Sequence, residues 1–371
     1  MAGLARRQLM LATAAGLLGW RAPALALAPR VLAFPRDHGS HPDLRTEWWY
    51  ITGQARSEDA RLWGFQITFF RSRVDVARGM RSAFAARQLI FAHAALTDVQ
   101  SARQWHDQRI ARAGFGIAGA DEDDARIRLQ DWSLERTQVP NIPGHSRWAI
   151  RAQADGLALD LQCTSTQPVL LQGHAGLSRK GPDASQASYY VSQPHLAVTG
   201  AFVVDGQRIA IAADLPAPDN RAWMDHEWSE ALMHPQAVGW DWIGMNLADG
   251  GALTAFSLRR ADGSQLWAGG SMRRAGEAQA RIFGSDEVTW TPLRRWTSGA
   301  SGATYPVDWR VDTPAGRFTV QALLDAQELD SRASTGAIYW EGLCRLLDAQ
   351  GREVGRGYLE MTGYAGALSL T

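Results

Sequence analysis

The chain has 371 residues, and its 38 Lys and Arg side chains equal its 38 Asp and Glu side chains, so the formal net charge at pH 7 is zero. Residues 1–26 hold three Arg and no acid, which leaves 35 basic and 38 acidic residues and a charge of about −3 on the remainder. This balance gives no electrostatic case for nucleic acid or for an anionic membrane as a partner. Trp, with 16 residues, outnumbers both Phe and Tyr, which indicates large apolar contacts in a core or a ligand cavity.

The first 26 residues have the features of an export signal. Arg6 and Arg7 precede an apolar run over residues 9–20, and Ala24-Leu25-Ala26 offers small residues for cleavage. The paired arginines favour the twin-arginine route, with an ordinary secretory signal as the alternative. We therefore expect a periplasmic or secreted protein. The run is too short to span a bilayer, and we expect no integral membrane segment in the mature chain.

Short alternating runs separated by Gly-containing turns dominate the rest of the chain. Phe65, Ile67 and Phe69 alternate with Gln66 and Thr68, as in a half-buried strand. Residues 202–204 and 209–211 flank an Asp-Gly pair and predict a hairpin. Many such strands predict a mainly β protein built as antiparallel barrels or sandwiches.

Two hairpin-like patterns recur in the same order and favour an internal duplication, with chance similarity between hairpins as the alternative. The division is expected at the Pro-containing residues 214–220, which gives an N-terminal domain over 30–215 and a C-terminal domain over 221–371. The matched segments are 48–53 with 64–71 against 240–244 with 253–259, and 148–150 with 157–159 against 309–311 with 318–320.

The first cluster that could carry chemistry is Glu47-Trp48-Trp49-Tyr50. In a strand, Glu47 and Trp49 share one face while Trp48 and Tyr50 share the other. A carboxylate desolvated among indoles has a raised pKa and can act as an acid. The alternative is that the Trp residues close a barrel end and Glu47 pairs with an Arg such as Arg71.

The second cluster places Asp225, His226 and Glu227 between Trp223 and Trp228. Adjacent titratable groups shift one another's pKa values apart, which suits acid and base roles. No second His follows four residues on, so this is not a zinc-protease helix. The alternative is a polar loop at a domain junction.

In the third cluster Asp241 lies between Trp240 and Trp242, and alternation puts the two indoles on the face opposite Asp241. The indoles could stabilise a transient cation in a cavity or pack in a core. Additional polar and aromatic candidates are expected to line a ligand site or to be satisfied inside a barrel: Gln66, His93, Lys180, Tyr189, Tyr190, Trp340, Glu341, Glu360 and Tyr364.

The two cysteines, Cys163 and Cys344, could form a disulfide in an oxidising compartment or remain two separate buried thiols. Their spacing matches no metal-binding motif. We expect neither a metal nor a cofactor.

Several of these segments together resemble the carotenoid 1,2-hydratase family, and most closely its secreted AttH-like branch. The resemblance implies two lipocalin-like β-domains with an apolar ligand site at or near their junction. The segments that carry it are 41–50, 64–71, 223–228, 239–242, 339–342 and 357–364.

The resemblance implies a chemistry as well. The hydratases add water to an isoprenoid double bond without a cofactor, and the family's His-x-Trp element matches His226 and Trp228. Asp225, His226, Glu227 and Asp241 would then divide the acid and base roles. Residues expected to line the ligand site are Glu47, Trp49, Tyr50, Gln66, His93, Tyr190, Trp228, Trp240, Trp242 and Trp340.

Three functions stay open at this point. The first is a cofactor-independent hydratase acting on an isoprenoid-, lipid- or polyketide-like molecule. The second is a carrier of an apolar small molecule without turnover. The third is a lipid ester hydrolase, which is disfavoured because no Gly-x-Ser-x-Gly element is present.

Overall fold

The computed structural model describes residues 26–213, 219–231 and 233–368. These residues form a nearly all-β protein, and the part of the chain described has only two short 3-10 helices, Arg36–His38 and Asp75–Ala77. The predicted mainly β fold of lipocalin-like type is confirmed. The predicted signal peptide and most of the predicted link at 214–220 lie outside the described residues.

The first sheet is a nearly closed barrel whose hydrogen-bonded order is β4-β3-β2-β1-β14-β12-β9-β8-β7-β6-β5, with β10, β11 and β13 also paired to β12. Strands β3 and β4 approach β5 and β6, which brings the two ends of the sheet together. The strands are β1 (Thr46–Arg56), β2 (Leu62–Arg73), β3 (Gln88–Asp98), β4 (Arg103–Arg112), β5 (Ala118–Ala120), β6 (Arg126–Leu129), β7 (Trp132–Gln138), β8 (Ser146–Ala154), β9 (Leu157–Thr164), β10 (Leu170–Leu171), β11 (Leu177–Arg179), β12 (Ala187–Val204), β13 (Gln207–Ala210) and β14 (Arg221–Ala231).

The second sheet has the order β18-β17-β16-β15-β26-β25-β23-β22-β19, with β24 paired to β25, and β20 and β21 form a separate two-stranded sheet. The strands are β15 (Gly239–Leu247), β16 (Ala252–Arg259), β17 (Gln265–Arg273), β18 (Arg281–Phe283), β19 (Thr289–Pro292), β20 (Arg295–Thr297), β21 (Thr304–Pro306), β22 (Asp308–Thr313), β23 (Gly316–Ala322), β24 (Glu328–Ser331), β25 (Ala337–Leu347) and β26 (Glu353–Met361).

The two sheets share one connectivity. In each, four consecutive strands pair in order, and the first of them pairs with the last strand of the same sheet: β1 with β14, and β15 with β26. The matched hairpins predicted from the sequence, β1–β2 with β15–β16 and β8–β9 with β22–β23, hold equivalent places in this order. The sheet order therefore supports the predicted duplication.

Strand β14 was assigned from the sequence to the second domain, because the predicted division lies before residue 221. The structure corrects this assignment, since β14 pairs with both β1 and β12 inside the first sheet. The predicted division before residue 221 therefore lies between two strands of the first sheet, β13 and β14, and not between the sheets. The chain crosses between the sheets after Ala231 and before Gly239.

Strand alternation decides what each face contacts. In β1, Trp49 and Ile51 pack in the core of the first sheet, whereas Tyr50 packs with Trp242 of β15 in a cluster between the sheets. Strands β1, β2, β12 and β14 lie against β15, β25 and β26. The facing surfaces of these strands enclose a cavity between the two sheets.

The turn between β12 and β13 has the tight geometry that the Asp-Gly pair predicts. Asp205 and Gly206 have φ values of 48° and 81° in this hairpin, as a tight hairpin turn requires.

Cys163 and Cys344 are free and buried in the cores of the first and second sheets. The interpretation as two separate thiols is confirmed. Among the described residues, no helix has the length and apolar character to cross a bilayer.

Candidate functional site

A cavity of about 290 Å³ lies between the two sheets. Its walls come from β1, β2, β3, β4, β12 and β14 on one side and β15, β16, β25 and β26 on the other. Most of its surface is aromatic or aliphatic, with a small set of polar groups, which is the usual character of a small-molecule site. The residues that matter for its chemistry are Tyr50, His93, Lys180, Tyr190, Asp225, Glu227, Trp240, Trp242, Phe256, Tyr339, Glu341 and Glu360.

Asp225 of β14 is a carboxylate of the first wall that three side chains hold by hydrogen bonds. It accepts hydrogen bonds from Tyr190 Oη at 2.7 Å, Trp223 Nε1 at 2.7 Å and Ser192 Oγ at 2.5 Å. Burial raises the pKa of Asp225 to about 7, although the three donors stabilise its charged form. At neutral pH this side chain can therefore both accept and release a proton.

Glu227 lies two residues further along β14 and faces the same cavity. Its Oε1 accepts a hydrogen bond from Ser188 Oγ at 2.5 Å and lies 3.1 Å from Lys180 Nζ. The Lys180 ammonium also lies 4.5 Å from the centre of the Tyr190 ring and 4.3 Å from that of Phe256. This lysine, which is the only one in the sequence, is 6% exposed and is stabilised by one carboxylate and two ring faces.

Two glutamates form the polar part of the second wall. Glu341 of β25 and Glu360 of β26 are directly opposite each other in the antiparallel register. Burial and the charge of Glu360 raise the pKa of Glu341 well above its usual range. Burial also raises the pKa of Glu360 to about 7, and the charges of Asp225 and Glu227 add to the shift. The carboxyls of the two walls are thus electrostatically coupled across the cavity.

Aromatic rings separate these carboxyls from water. Tyr50 meets Trp242 edge to face, with ring centres 5.4 Å apart, and Trp242 Nε1 donates to Tyr190 Oη at 3.0 Å. The Tyr50 hydroxyl and the Glu341 carboxyl are both buried beside the cavity, where the Tyr50 and Tyr339 hydroxyls act on the pKa of Glu341.

His93 of β3 connects the two sheets at another part of the cavity wall. Its Nδ1 lies 2.8 Å from Tyr339 Oη and its Nε2 lies 2.8 Å from Ser334 Oγ. The Gln108 amide donates to Asp330 O, so its Oε1 receives the Ser334 hydroxyl proton at 2.6 Å. Burial lowers the pKa of His93 to about 3. The imidazole is therefore neutral and donates to Ser334 rather than acting as its base.

A second polar cluster lies inside the first barrel, around Glu47. The Glu47 carboxylate contacts Arg71 Nε at 2.7 Å, His41 Nδ1 at 2.7 Å and His226 Nε2 at 3.0 Å. Burial alone would raise the pKa of Glu47, but hydrogen bonds from the two histidines and the Arg71 charge hold it well below its usual range. Glu47 is buried as expected, but the expected raised pKa is wrong, and the predicted pairing with Arg71 is confirmed.

This cluster also has the spacing for a metal ion. Among the described residues it is the one group of His and acidic side chains that does. His41, Glu47 and His226 offer ligand atoms within 4.8 Å of one another. Both imidazoles already contact the same carboxylate oxygen, and Arg71 binds the other oxygen. A cation would have to displace these hydrogen bonds beside a guanidinium, so the set fits a buried ion network better than a metal centre.

Of the four predicted catalytic residues, the structure brings Asp225 and Glu227 into the cavity and places the other two elsewhere. His226 lies between them on β14 and faces the barrel interior, where its ring stacks on Trp49 at 4.8 Å. Asp241 faces the interior of the second sheet and pairs with Arg259 Nε at 2.6 Å. Strand alternation is the reason in both cases.

The predicted ligand-lining residues divide in the same way. Tyr50, His93, Tyr190, Trp240 and Trp242 line the cavity, and Glu47 lines it at one end while its carboxylate is held in the ion network. Four others do not line it, which corrects the sequence prediction: Trp49 and Trp340 are fully buried in the cores of the two sheets, Trp228 stacks on His41 at 4.1 Å, and Gln66 is buried beside Thr68.

Three cavity residues were only minor candidates in the sequence. Lys180 has one signal, namely that it is the sole lysine. Glu341 and Glu360 are adjacent only through the β25–β26 register, which a single sequence does not reveal. Each glutamate in isolation could be any polar residue on a strand.

The fold, with two β-sheets that enclose a cavity between them, is that of the lipocalin-like double β-sheet proteins. The chain itself belongs to the AttH-like family, whose model matches residues 25–364. A crystal structure named for AttH, from Nitrosomonas europaea, is 42% identical, with a TM-score of 0.82 over 92% of this chain and 99% of that one.

More distant solved structures share the fold. Kievitone hydratase from Nectria haematococca is 14% identical, with a TM-score of 0.68 over 91% of this chain and 94% of its own. CghA with Sch210972 is 12% identical, with a TM-score of 0.53 over 94% of this chain and 99% of its own. At these identities the likeness concerns the fold alone. None of the curated proteins is significantly similar to this sequence.

Proposed function

We propose that this protein is a cofactor-independent hydratase that adds water to a carbon–carbon double bond of an apolar, isoprenoid-like molecule held between the two sheets. The observation that carries the proposal is the pair of carboxyl groups with a pKa of about 7, Asp225 and Glu360, on opposite walls of one aromatic cavity. A carrier needs few ionisable groups inside its cavity, whereas hydration needs an acid and a base near one carbon. The kinship of fold with kievitone hydratase is consistent with this class of reaction.

The two walls suit different roles. Glu341 lines the cavity and is kept protonated by burial and by its neighbour Glu360, so we assign the general acid to this pair. Asp225 accepts three hydrogen bonds that favour the carboxylate, so we assign it the base.

In the reaction, the acid proton adds to the less substituted alkene carbon, and the π electrons form the new C–H bond. The cation left on the other carbon lies among the faces of Tyr50, Trp240 and Trp242, which stabilise it. A water oxygen then bonds to that carbon and releases one proton to Asp225. The net change is the addition of one water, and the proton returns to the glutamate pair.

The test is an assay of hydration in heavy-oxygen water. Kievitone and an acyclic carotenoid serve as probe substrates, and the product is expected to gain one water carrying the label. Asp225→Asn and Glu341→Gln are expected to reduce turnover by about a hundredfold or more, the range for loss of a positioned acid or base. Asp241→Asn is the control, because it makes the same carboxylate-to-amide change at a buried site outside the cavity.

Two results would overturn the proposal. One is unchanged turnover in both cavity variants. The other is binding of the probes by the wild-type protein with no hydration of either, which is what a carrier would show. The predicted signal peptide, which lies outside the described residues, would place the activity in the periplasm or outside the cell.

A further inference from the structure

The structure has an exposed apolar surface beside the cavity, formed by two segments of the first sheet. We call residues 75–87 and 110–117 the docking surface. The side chains of Val76, Met80, Phe84, Phe115 and Ile117 on it are 85%, 52%, 74%, 56% and 45% exposed, respectively. Large apolar side chains grouped in this way at a protein surface mark a site of contact with another protein, a ligand or a membrane.

The two segments form one surface because their aromatic rings are in contact. Phe84 stacks on Phe115, with ring centres 5.4 Å apart and planes at 22°. The Arg112 guanidinium lies 4.4 Å from the Phe115 ring centre and 5.7 Å from that of Phe84, and it donates to Phe84 O at 2.6 Å. The rings are thus held at the surface by a cation rather than buried.

The charge of the docking surface is mostly positive. Residues 75–87 contain Arg78, Arg81 and Arg87, and residues 110–117 contain Arg112 and no acidic residue. The one acid of the docking surface, Asp75, is already paired with Arg45 and Arg73. The whole chain is neutral, but this part of it carries four arginines among exposed apolar side chains.

The docking surface is continuous with the cavity. Leu89, Phe91 and Ile110 line the cavity, and in the β3–β4 register Phe91 is opposite Ile110 while Leu89 is opposite Arg112. Arg112 therefore lies on the same face of the sheet as Ile110, opposite the lining residue Leu89. Ile110 is 42% exposed, so apolar side chains extend from the cavity wall to the surface.

We propose that this surface docks on a lipid bilayer that carries anionic headgroups, and that apolar ligands pass between the bilayer and the cavity at this end. Exposed Phe, Met and Ile side chains enter the boundary between headgroups and acyl chains, while arginines around them bind lipid phosphates. An apolar molecule large enough for the cavity has little solubility in water, and a membrane is where it accumulates. The inference concerns delivery and does not depend on whether the cavity catalyses hydration.

The experiment is co-sedimentation with vesicles of phosphatidylcholine mixed with phosphatidylglycerol, using protein recovered from its host after any N-terminal processing. We expect binding to these vesicles, weaker binding to pure phosphatidylcholine, and loss of binding at high salt because the attraction is screened. Replacing the three arginines of 78–87 by Gln is expected to weaken binding on the order of fivefold for each charge removed. Phe84→Ser with Phe115→Ser is expected to weaken it about tenfold or more.

The matched controls change equally exposed residues elsewhere. Leu293→Ser removes an apolar side chain that is 51% exposed, and Arg128→Gln with Arg147→Gln removes two exposed arginines of the same sheet. Both controls are expected to bind vesicles as the wild type does, and thermal unfolding checks that all variants fold.

The proposal is overturned if the wild type does not sediment with anionic vesicles, or if the controls lose as much binding as the surface variants. It is also overturned if the Phe variant only converts a dimer to a monomer in sedimentation velocity, since the surface would then join two copies of the chain.

Discussion

Glu341 and Glu360 lie directly opposite each other on the adjacent strands β25 and β26, and both face the cavity. Two carboxylates this close cannot both be ionised without a large cost in a buried site, so the pair holds a proton at neutral pH. No described Lys or Arg forms a salt bridge with either of them. The pair therefore keeps one carboxyl protonated inside an apolar cavity, and the catalytic proposal depends on that proton.

The proton held by this pair makes stability depend on pH with a definite sign. In the unfolded chain Glu360 titrates near 4.5, whereas in the folded protein its pKa is about 7. Folding therefore takes up protons between these values, and the free energy of unfolding falls as pH rises through this window and then levels off. The slope is at most roughly 1.4 kcal/mol per pH unit for one group.

We expect Glu360→Gln to flatten this dependence and to be more stable than the wild type above neutral pH, as measured by urea unfolding across the window. Glu353→Gln on the same strand is the control, because Glu353 is exposed and pairs with Arg356. Equal pH dependence in the wild type and the Glu360 variant would contradict the raised pKa.

Two tryptophans that were both predicted to line the ligand site, Trp228 and Trp242, should respond differently to replacement. Trp242 lines the cavity, so Trp242→Ala should lower the affinity for an apolar fluorescent probe such as N-phenyl-1-naphthylamine by about tenfold or more. Trp228 stacks on His41 inside the first barrel, so Trp228→Ala should lower the unfolding temperature and leave probe affinity largely unchanged. Loss of affinity in the Trp228 variant alone would place the ligand site inside the barrel instead.

The Glu47 network should act on stability rather than on ligand binding. Glu47→Gln leaves the Arg71 guanidinium, which is 2% exposed, without its carboxylate, and we expect a loss of about 3–5 kcal/mol in the free energy of unfolding. The double variant Glu47→Gln with Arg71→Met removes the unpaired charge and should recover part of that loss. A double variant no more stable than the single one would show that the unpaired charge is not the cause.

The thiols provide a check on the two cores. Cys163 and Cys344 are buried in different sheets, and burial raises the pKa of both. We expect neither to react with a thiol reagent in the native protein and both to react in urea. Rapid native labelling of Cys344 alone would mean that the second sheet opens independently.

Much of the fold can be predicted from the sequence patterns of individual strands. The alternation in 46–56 correctly separates Trp49 from Tyr50. The order of the matched hairpins agrees with the connectivity that the two sheets share. The Pro-containing segment predicts a break in strand pairing, and this is why the division between the units is predicted before residue 221. That segment precedes β14, which still belongs to the first sheet. Only the pairing of β14 with β1 reveals that the strand belongs there.

The sequence predicts which segments form the site, but it does not predict which face of each strand points into the cavity. The sequence indicates that the segments around residues 225 and 241 carry chemistry, yet which alternate residues face the cavity depends on how the two sheets pack. His226 and Asp241 thus face two different interiors. The Glu341–Glu360 pair depends on cross-strand register, which no local pattern in this sequence specifies.

The most direct test of the central claim is the infrared carbonyl band of protonated carboxylic acids at neutral pH, recorded for the wild type and for Glu341→Gln. A carboxyl that stays protonated in the cavity predicts such a band in the wild type, a shift when an apolar probe fills the cavity, and loss of the shifting component in the variant. A wild-type spectrum with no protonated carboxyl at neutral pH, or a band that Glu341→Gln and the apolar probe both leave unchanged, would contradict the account.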